Sequence, residues 1–91
     1  MKHCDITYHL ELIEERVLPE GTYRLLRLRE SDLLKFAVEI VDRSGHDIAL
    51  LDGKERACRE FFDKISVGAL SSIQLCEAAE DFSLECALEI F

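Results

Sequence analysis

Two runs of alternation in the first half of the chain constrain the fold more than any other feature. Tyr8, Leu10 and Leu12 alternate with His9, Glu11 and Ile13, and Leu34, Phe36, Val38 and Ile40 alternate with Lys35, Ala37, Glu39 and Val41. A period of two is the signal of a half-buried strand. Turn-forming residues break the pattern at Leu18-Pro19-Glu20-Gly21, at Glu30-Ser31-Asp32 and at Arg43-Ser44-Gly45. The first half therefore reads as antiparallel strands joined by tight turns.

The turns also propose registers. A three-residue loop at Arg43-Ser44-Gly45, with the glycine left-handed, sets Asp42 against His46, Ile40 against Ile48 and Val38 against Leu50. A turn around Ser31 sets Leu28 against Leu34 and Leu26 against Phe36. A turn centred on Pro19 sets Leu10 against Leu28, Leu12 against Leu26 and Glu14 against Arg24, with Glu11 meeting Arg27 on the other face. These registers gather Tyr8, Leu10, Leu12, Leu26, Leu28, Leu34, Phe36, Val38, Ile40, Ile48 and Leu50 on one expected covered face. The opposite face is not fully polar, because Ile13, Tyr23, Leu25, Val41 and Leu51 fall there. A slip of one residue exchanges the two faces.

The second half reads as helices. Asp52 with Glu55 three residues on outlines a capping box, and Ala57, Cys58, Phe61, Phe62 and Ile65 follow at helical spacing, with Gly68 as the stop. Ser71 and Gln74 form a second capping box, flanked by Leu70 and Leu75 at the staple positions. Leu75, Ala79 and Phe82 make the inward stripe of that helix, and Cys86 and Ile90 extend it. Leu84, Leu88 and Phe91 form another stripe roughly opposite. Either Ser83 caps a new short helix, or one helix runs on and turns those three residues outward. The expected fold is one α+β domain over residues 1–91: a four-stranded antiparallel meander over about 5–51, then two or three helices packed on one sheet face, at 52–67, at 71–82 and in a C-terminal extension at 83–91.

Composition bounds the function. The net charge is −8, and after Lys64 come Glu77, Glu80, Asp81, Glu85 and Glu89 with no base. Such a surface repels a phosphate backbone, so direct nucleic-acid binding is disfavoured and a basic protein partner is compatible. The longest uncharged runs are too short and polar to span a bilayer, and Met1-Lys2-His3-Cys4-Asp5 lacks a signal peptide's apolar run. A cytoplasmic protein with no membrane contact is expected. Cys4, Cys58, Cys76 and Cys86 include no C-x-x-C pair and match no usual zinc spacing, so reduced thiols and no metal or other cofactor are expected.

The order of strands, a helix and then Leu70-Ser71-Ser72-Ile73-Gln74-Leu75 running on to Glu80-Asp81-Phe82 resembles a family of short bacterial (Firmicutes-type) proteins of unknown function. Members of that family close with a helix beginning Ser-Pro-Ile and ending Glu-Asp-Phe. Tyr23-Arg24-Leu25-Leu26 looks like the family's early strand, and Ser72 stands where the family has proline. The resemblance covers roughly residues 23–82. It implies an α+β domain of bacterial or mobile-element origin and no activity.

No motif for chemistry stands out. The chain lacks a phosphate loop, H-E-x-x-H and G-x-S-x-G. His9 and His46 lie on expected strands or turns, with no fixed acid partner nearby in sequence. Glu80 and Asp81 point about 100° apart on a helix and converge poorly. Arg24, Arg27 and Arg29 suggest an anion site, but Glu14 and Glu11 stand ready to pair with the first two. The expected function is that of a non-catalytic, acidic interaction module with no enzyme activity. Its partner is another protein or a second copy in a homodimer, met through the C-terminal helical surface. Leu84, Leu88 and Phe91 are the expected apolar contacts, with Glu77, Glu80, Asp81 and Glu85 as the electrostatic ones. The alternative is an acidic nucleic-acid mimic that occupies a basic groove, such as a phage-borne inhibitor of a bacterial defence nuclease.

Overall fold

The structure, a computed structural model, describes the backbone of residues 9–30 and 33–90 and the side chains of residues 10–29 and 34–86. Four strands, β1 (His9–Leu18), β2 (Gly21–Glu30), β3 (Leu33–Asp42) and β4 (Gly45–Leu51), pair in chain order as an antiparallel meander. Two helices follow, α1 (Glu55–Val67) and α2 (Leu75–Ile90), the second entered through a 3₁₀ turn at Ser72–Gln74. Both helices lie on the same face of the sheet, giving two layers in a body 42 × 37 × 20 Å.

The registers differ from those the turn residues suggest, and all three differ in the same way. The strands close at Leu18↔Gly21, Glu30↔Leu33 and Asp42↔Gly45, each with two intervening residues. Two-residue connections suit the right-handed twist of the flanking strands better than longer ones. Gly21 follows from this tight geometry, since a Cβ there would meet the Val41 carbonyl oxygen at 2.7 Å. The loops at Arg43-Ser44-Gly45 and around Ser31 and Pro19 are thus each one residue shorter than expected, and the parity of the strands changes. Phe36 faces Arg27 and Leu51, Val38 faces Leu25 and Ala49, and Ile40 faces Tyr23 and Asp47. The outer half of the β1–β2 pairing keeps the expected register, with Leu10↔Leu28, Glu11↔Arg27 and Leu12↔Leu26, because a bulge at Ile13 absorbs the extra residue. Beyond the bulge Glu15, not Glu14, stands opposite Arg24.

The covered face is therefore built from Tyr23, Leu25, Phe36, Val38, Ile40 and Leu51, all nearly or fully buried. Of the residues expected there, only Phe36, Val38 and Ile40 belong to the core. Leu10, Leu12, Leu26, Leu28, Ile48 and Leu50 point to the opposite face, Leu34 is exposed at the margin, and Tyr8 lies outside the described residues.

The helical stripes pack as their spacing dictates. Cys58, Phe61, Phe62 and Ile65 of α1 and Leu75, Ala79 and Phe82 of α2 close over the sheet, with Ala57 and Cys86 at the edge of the cluster. The Phe61 and Phe82 rings meet with centroids 4.8 Å apart. Each fully buried large side chain contributes about 1.5–3 kcal/mol. Helix starts are less regular. Lys54, not Asp52, is the N-cap of α1, and its side chain makes no capping bond. Ser71 does cap, its hydroxyl accepting from the Ile73 N–H at 3.0 Å. Helix α1 ends with the Leu70 N–H bonded to the Ile65 carbonyl and Ala69 in the left-handed region at φ 54°, one residue past Gly68. Helix α2 runs without a break through Ser83.

Three polar ties hold the layers in place. The buried Tyr23 donates its hydroxyl to the Leu70 carbonyl at 2.8 Å. The Asp42 carboxylate accepts from the Ser72 N–H and hydroxyl at 2.8 and 2.7 Å and from the Ser44 and Gly45 N–H groups, fastening the β3–β4 turn to the start of α2. Arg16 donates to the Ser66 hydroxyl at 2.7 Å, pairs with Glu14 and Asp63, and lies 5.0 Å over the Phe62 ring, which clamps α1 to β1.

Candidate interaction surface

Nothing among the described residues covers the second face of the sheet, and the register defines its layout row by row. One row across all four strands reads Leu12, Leu26, Ala37, Leu50. The row above it reads Leu10, Leu28, Lys35, and the row below reads Glu15, Arg24, Glu39, Ile48. At the hairpin end the last row is Val17, Thr22, Val41, His46. Leu10, Leu12, Ile48 and Leu50 are 60, 53, 47 and 56% exposed, and Val17 and Val41 are exposed as well. Ala37 is only 1% exposed, because the larger side chains beside it, Leu26 and Leu50, close over its methyl group. Large apolar side chains scattered singly over a surface are ordinary, whereas a contiguous exposed sheet face of them is uncommon on a monomeric protein.

The charged row is internally paired. Arg24 bridges Glu15 at 2.6 Å and Glu39 at 2.9 Å, and the His46 ring meets the other Glu39 oxygen at 2.6 Å. Burial would push the Glu39 carboxyl up, but the bonds from Arg24 and His46 outweigh it and hold the group below the usual range. This pairing replaces the expected Arg24–Glu14 contact, whereas Glu11–Arg27 forms as expected at 2.9 Å. The His46–Glu39 pair has the look of a proton relay, yet the side chains beside it in the rows are Arg24, Val41 and Ile48, none of them a nucleophile.

The C-terminal residues singled out by sequence fall in separate places. Leu84 is 63% exposed and lies across a cleft of about 640 Å³ from Ile48 and Leu50, so it extends the apolar sheet face around the β4 edge. Glu80 lines the same cleft. Asp81 and Glu85 line a different groove, between α1 and α2, and Glu77 is exposed. Phe91 and the side chain of Leu88 lie outside the described residues. None of Glu77, Glu80, Asp81 and Glu85 takes part in a salt bridge among the described residues, unlike Glu11, Glu14, Glu15 and Glu39 of the sheet.

Among the described residues no three His, Cys, Asp or Glu side chains converge as a metal site. Cys58 is buried, and desolvation first, with Cys86, Asp52 and Glu55 adding to it, pushes its thiol up to about 11, so it stays protonated at neutral pH. Among the described residues no helix is long and apolar enough to cross a membrane.

Sequence reasoning missed the leucines of the open face because it assigned them to the core. The available signal was the apolar character of the second face, at Tyr23, Leu25 and Leu51, which implies that the sheet has two faces to cover. No family model, curated protein or solved structure matches the chain, so the functional reading rests on this surface.

Proposed function

We propose that this protein is a non-catalytic interaction module whose main binding surface is the open face of the sheet. One observation carries the reading: Leu10, Leu12, Ile48 and Leu50 stand about half exposed on one contiguous face, with Leu26, Leu28 and Ala37 between them. A layer apolar on both sides calls for a third layer. Leu84 joins this surface at its β4 margin, which keeps a role for the C-terminal helix as the rim of the site.

The test is capture of a binding partner by the full chain and by a Leu12→Lys/Leu50→Lys variant. Both positions are exposed, so the variant folds. Loss of the captured species in the variant supports the reading, and equal capture refutes it. A second reading, favoured by Glu77, Glu80, Asp81 and Glu85 of α2, which form no salt bridge among the described residues, is an acidic mimic that occupies a basic groove. Charge reversal at Glu77, Asp81 and Glu85 together abolishes capture under that reading, and capture weakens steeply with salt as the contact is screened. Under the first reading neither change matters.

A further inference from the structure

We propose that the occupant of the open sheet face is a second copy of this chain, packed sheet to sheet about a two-fold axis that runs along the strands between β2 and β3. The proposal rests on the reading of that face as the binding surface.

The pattern of rows is the reason. A two-fold axis in that position lays β1 over the partner copy's β4 and β2 over its β3. In the apolar row, Leu26 of each copy then lies over the Ala37 position of the other, and Leu12 over Leu50. Large meets small twice at the centre, which is how inner faces of packed sheets interdigitate. In the charged row the same operation lays Arg24 over Glu39 of the other copy, again twice. A self-complementary patch of this kind is what an isologous contact requires. Moving the axis by half a strand spacing, onto β2, loses both matches, because Leu26 then meets Leu26 and Arg24 meets Arg24.

Charge points the same way. Two chains of net charge −8 repel. On the open face, however, the strands carry two acids, Glu15 and Glu39, against two bases, Arg24 and Lys35, and Asp52 just past β4 meets Lys35 at 3.5 Å. The face thus carries one excess negative charge against −8 for the whole chain, and it is where two such molecules approach at least cost. A strongly basic partner finds little excess of acid there, whereas α2 offers it more.

Area sets the expected strength. Four strands of up to ten residues make a face of roughly 600 Å². Two such faces reach the lower end of specific interfaces, about 1,200 Å² in total. Area alone does not fix affinity, and weak association in roughly the micromolar range is the expected outcome for an interface this small.

The experiment is sedimentation equilibrium of the full chain over a range from about 1 to 500 µM, bracketing that strength. The expected result is a concentration-dependent shift from 10.4 kDa to twice that mass. Leu50→Lys weakens association by at least about 30-fold, the size of a buried anchor's loss. Circular dichroism checks that the variants stay folded. Arg24→Glu and Glu39→Arg chains are each monomeric alone and associate when mixed, since only the mixed pair sets unlike charges against each other at both crossings. Rescue on mixing is a signature that a purely structural role for the Arg24–Glu39 pair does not produce. A chain that stays monomeric throughout overturns the proposal. So does a dimer indifferent to Leu50→Lys. If Arg24→Glu and Glu39→Arg chains do not fold, Leu50→Lys alone decides. A monomer whose partner capture still depends on Leu12 and Leu50 removes the second copy and leaves the interaction module standing; a monomer with no such dependence removes both.

Discussion

Replacing Tyr23 by phenylalanine isolates one bond that holds the helical layer to the sheet. The ring is fully buried among core residues, and its hydroxyl donates to the Leu70 carbonyl at 2.8 Å in the link between α1 and α2. Tyr23→Phe removes only the oxygen, so no cavity of consequence opens. The cost is one hydrogen bond plus a half-buried carbonyl left without that donor, about 1–2 kcal/mol in all. For a domain of this size each kcal/mol lowers Tm by roughly 4–8 °C. Thermal and urea unfolding followed by circular dichroism at pH 7 measure the difference. Alkaline pH adds a second check. Burial, and then the nearby Asp42 and Glu20 charges, raise the Tyr23 pKa above its ordinary value of 10.0. Above pH 10 the unfolded chain therefore releases this proton while the folded chain keeps it, and stability falls with rising pH, at most by about 1.4 kcal/mol per unit. Tyr23→Phe lacks this term, so the gap between the two proteins narrows above pH 10. A Tm change below about 1 °C, or a gap that widens in alkali, would refute the reasoning.

Three further outcomes follow from the geometry. Leu25→Ala costs about 2–5 kcal/mol because Leu25 is wholly buried, whereas Leu12→Ala in dilute, monomeric protein costs under about 0.5 kcal/mol; equal costs in urea unfolding would restore the longer loops and their register. Asp42→Asn destabilises the protein near neutral pH and flattens its acid limb. Bonds from Ser72, Ser44 and Gly45 hold that carboxyl below its ordinary 3.8, so its contribution is full above that value and is lost as pH falls through the lowered folded pKa; an unchanged acid profile counts against this. Ala69→Gly raises stability by about 0.5–1 kcal/mol, since the residue sits at φ 54° at the end of α1; a lower Tm speaks against strain there.

Much of the architecture was legible in the residues. The period of two over residues 34–41 and the helical spacing of Phe61, Phe62 and Ile65 identify the elements and, for the helices, the inward faces. The Glu11–Arg27 pair was legible as well, because the bulge at Ile13 leaves that half of the β1–β2 ladder in the register the Pro19 turn suggests. Loop length was not. A turn of two residues and one of three carry the same glycines and polar residues, yet they differ by one step of the pleat. In a sheet with one apolar face the wrong choice is self-evident. Here Leu10, Leu12, Leu26 and Leu50 compete with Tyr23, Leu25 and Leu51 for the core, and local pattern does not separate the two sets.

Sequence by itself determined that this chain makes four antiparallel strands and then helices with a definite inner stripe, because backbone periodicity and capping act over a few residues. Only the tertiary structure decided which face of the sheet those helices cover. That choice depends on the summed fit of Phe62, Leu75 and Phe82 against Tyr23, Leu25 and Leu51, contacts between residues distant along the chain. The same choice leaves the leucines of the other face without cover from any described residue, and it is the reason the sheet shows an open apolar face.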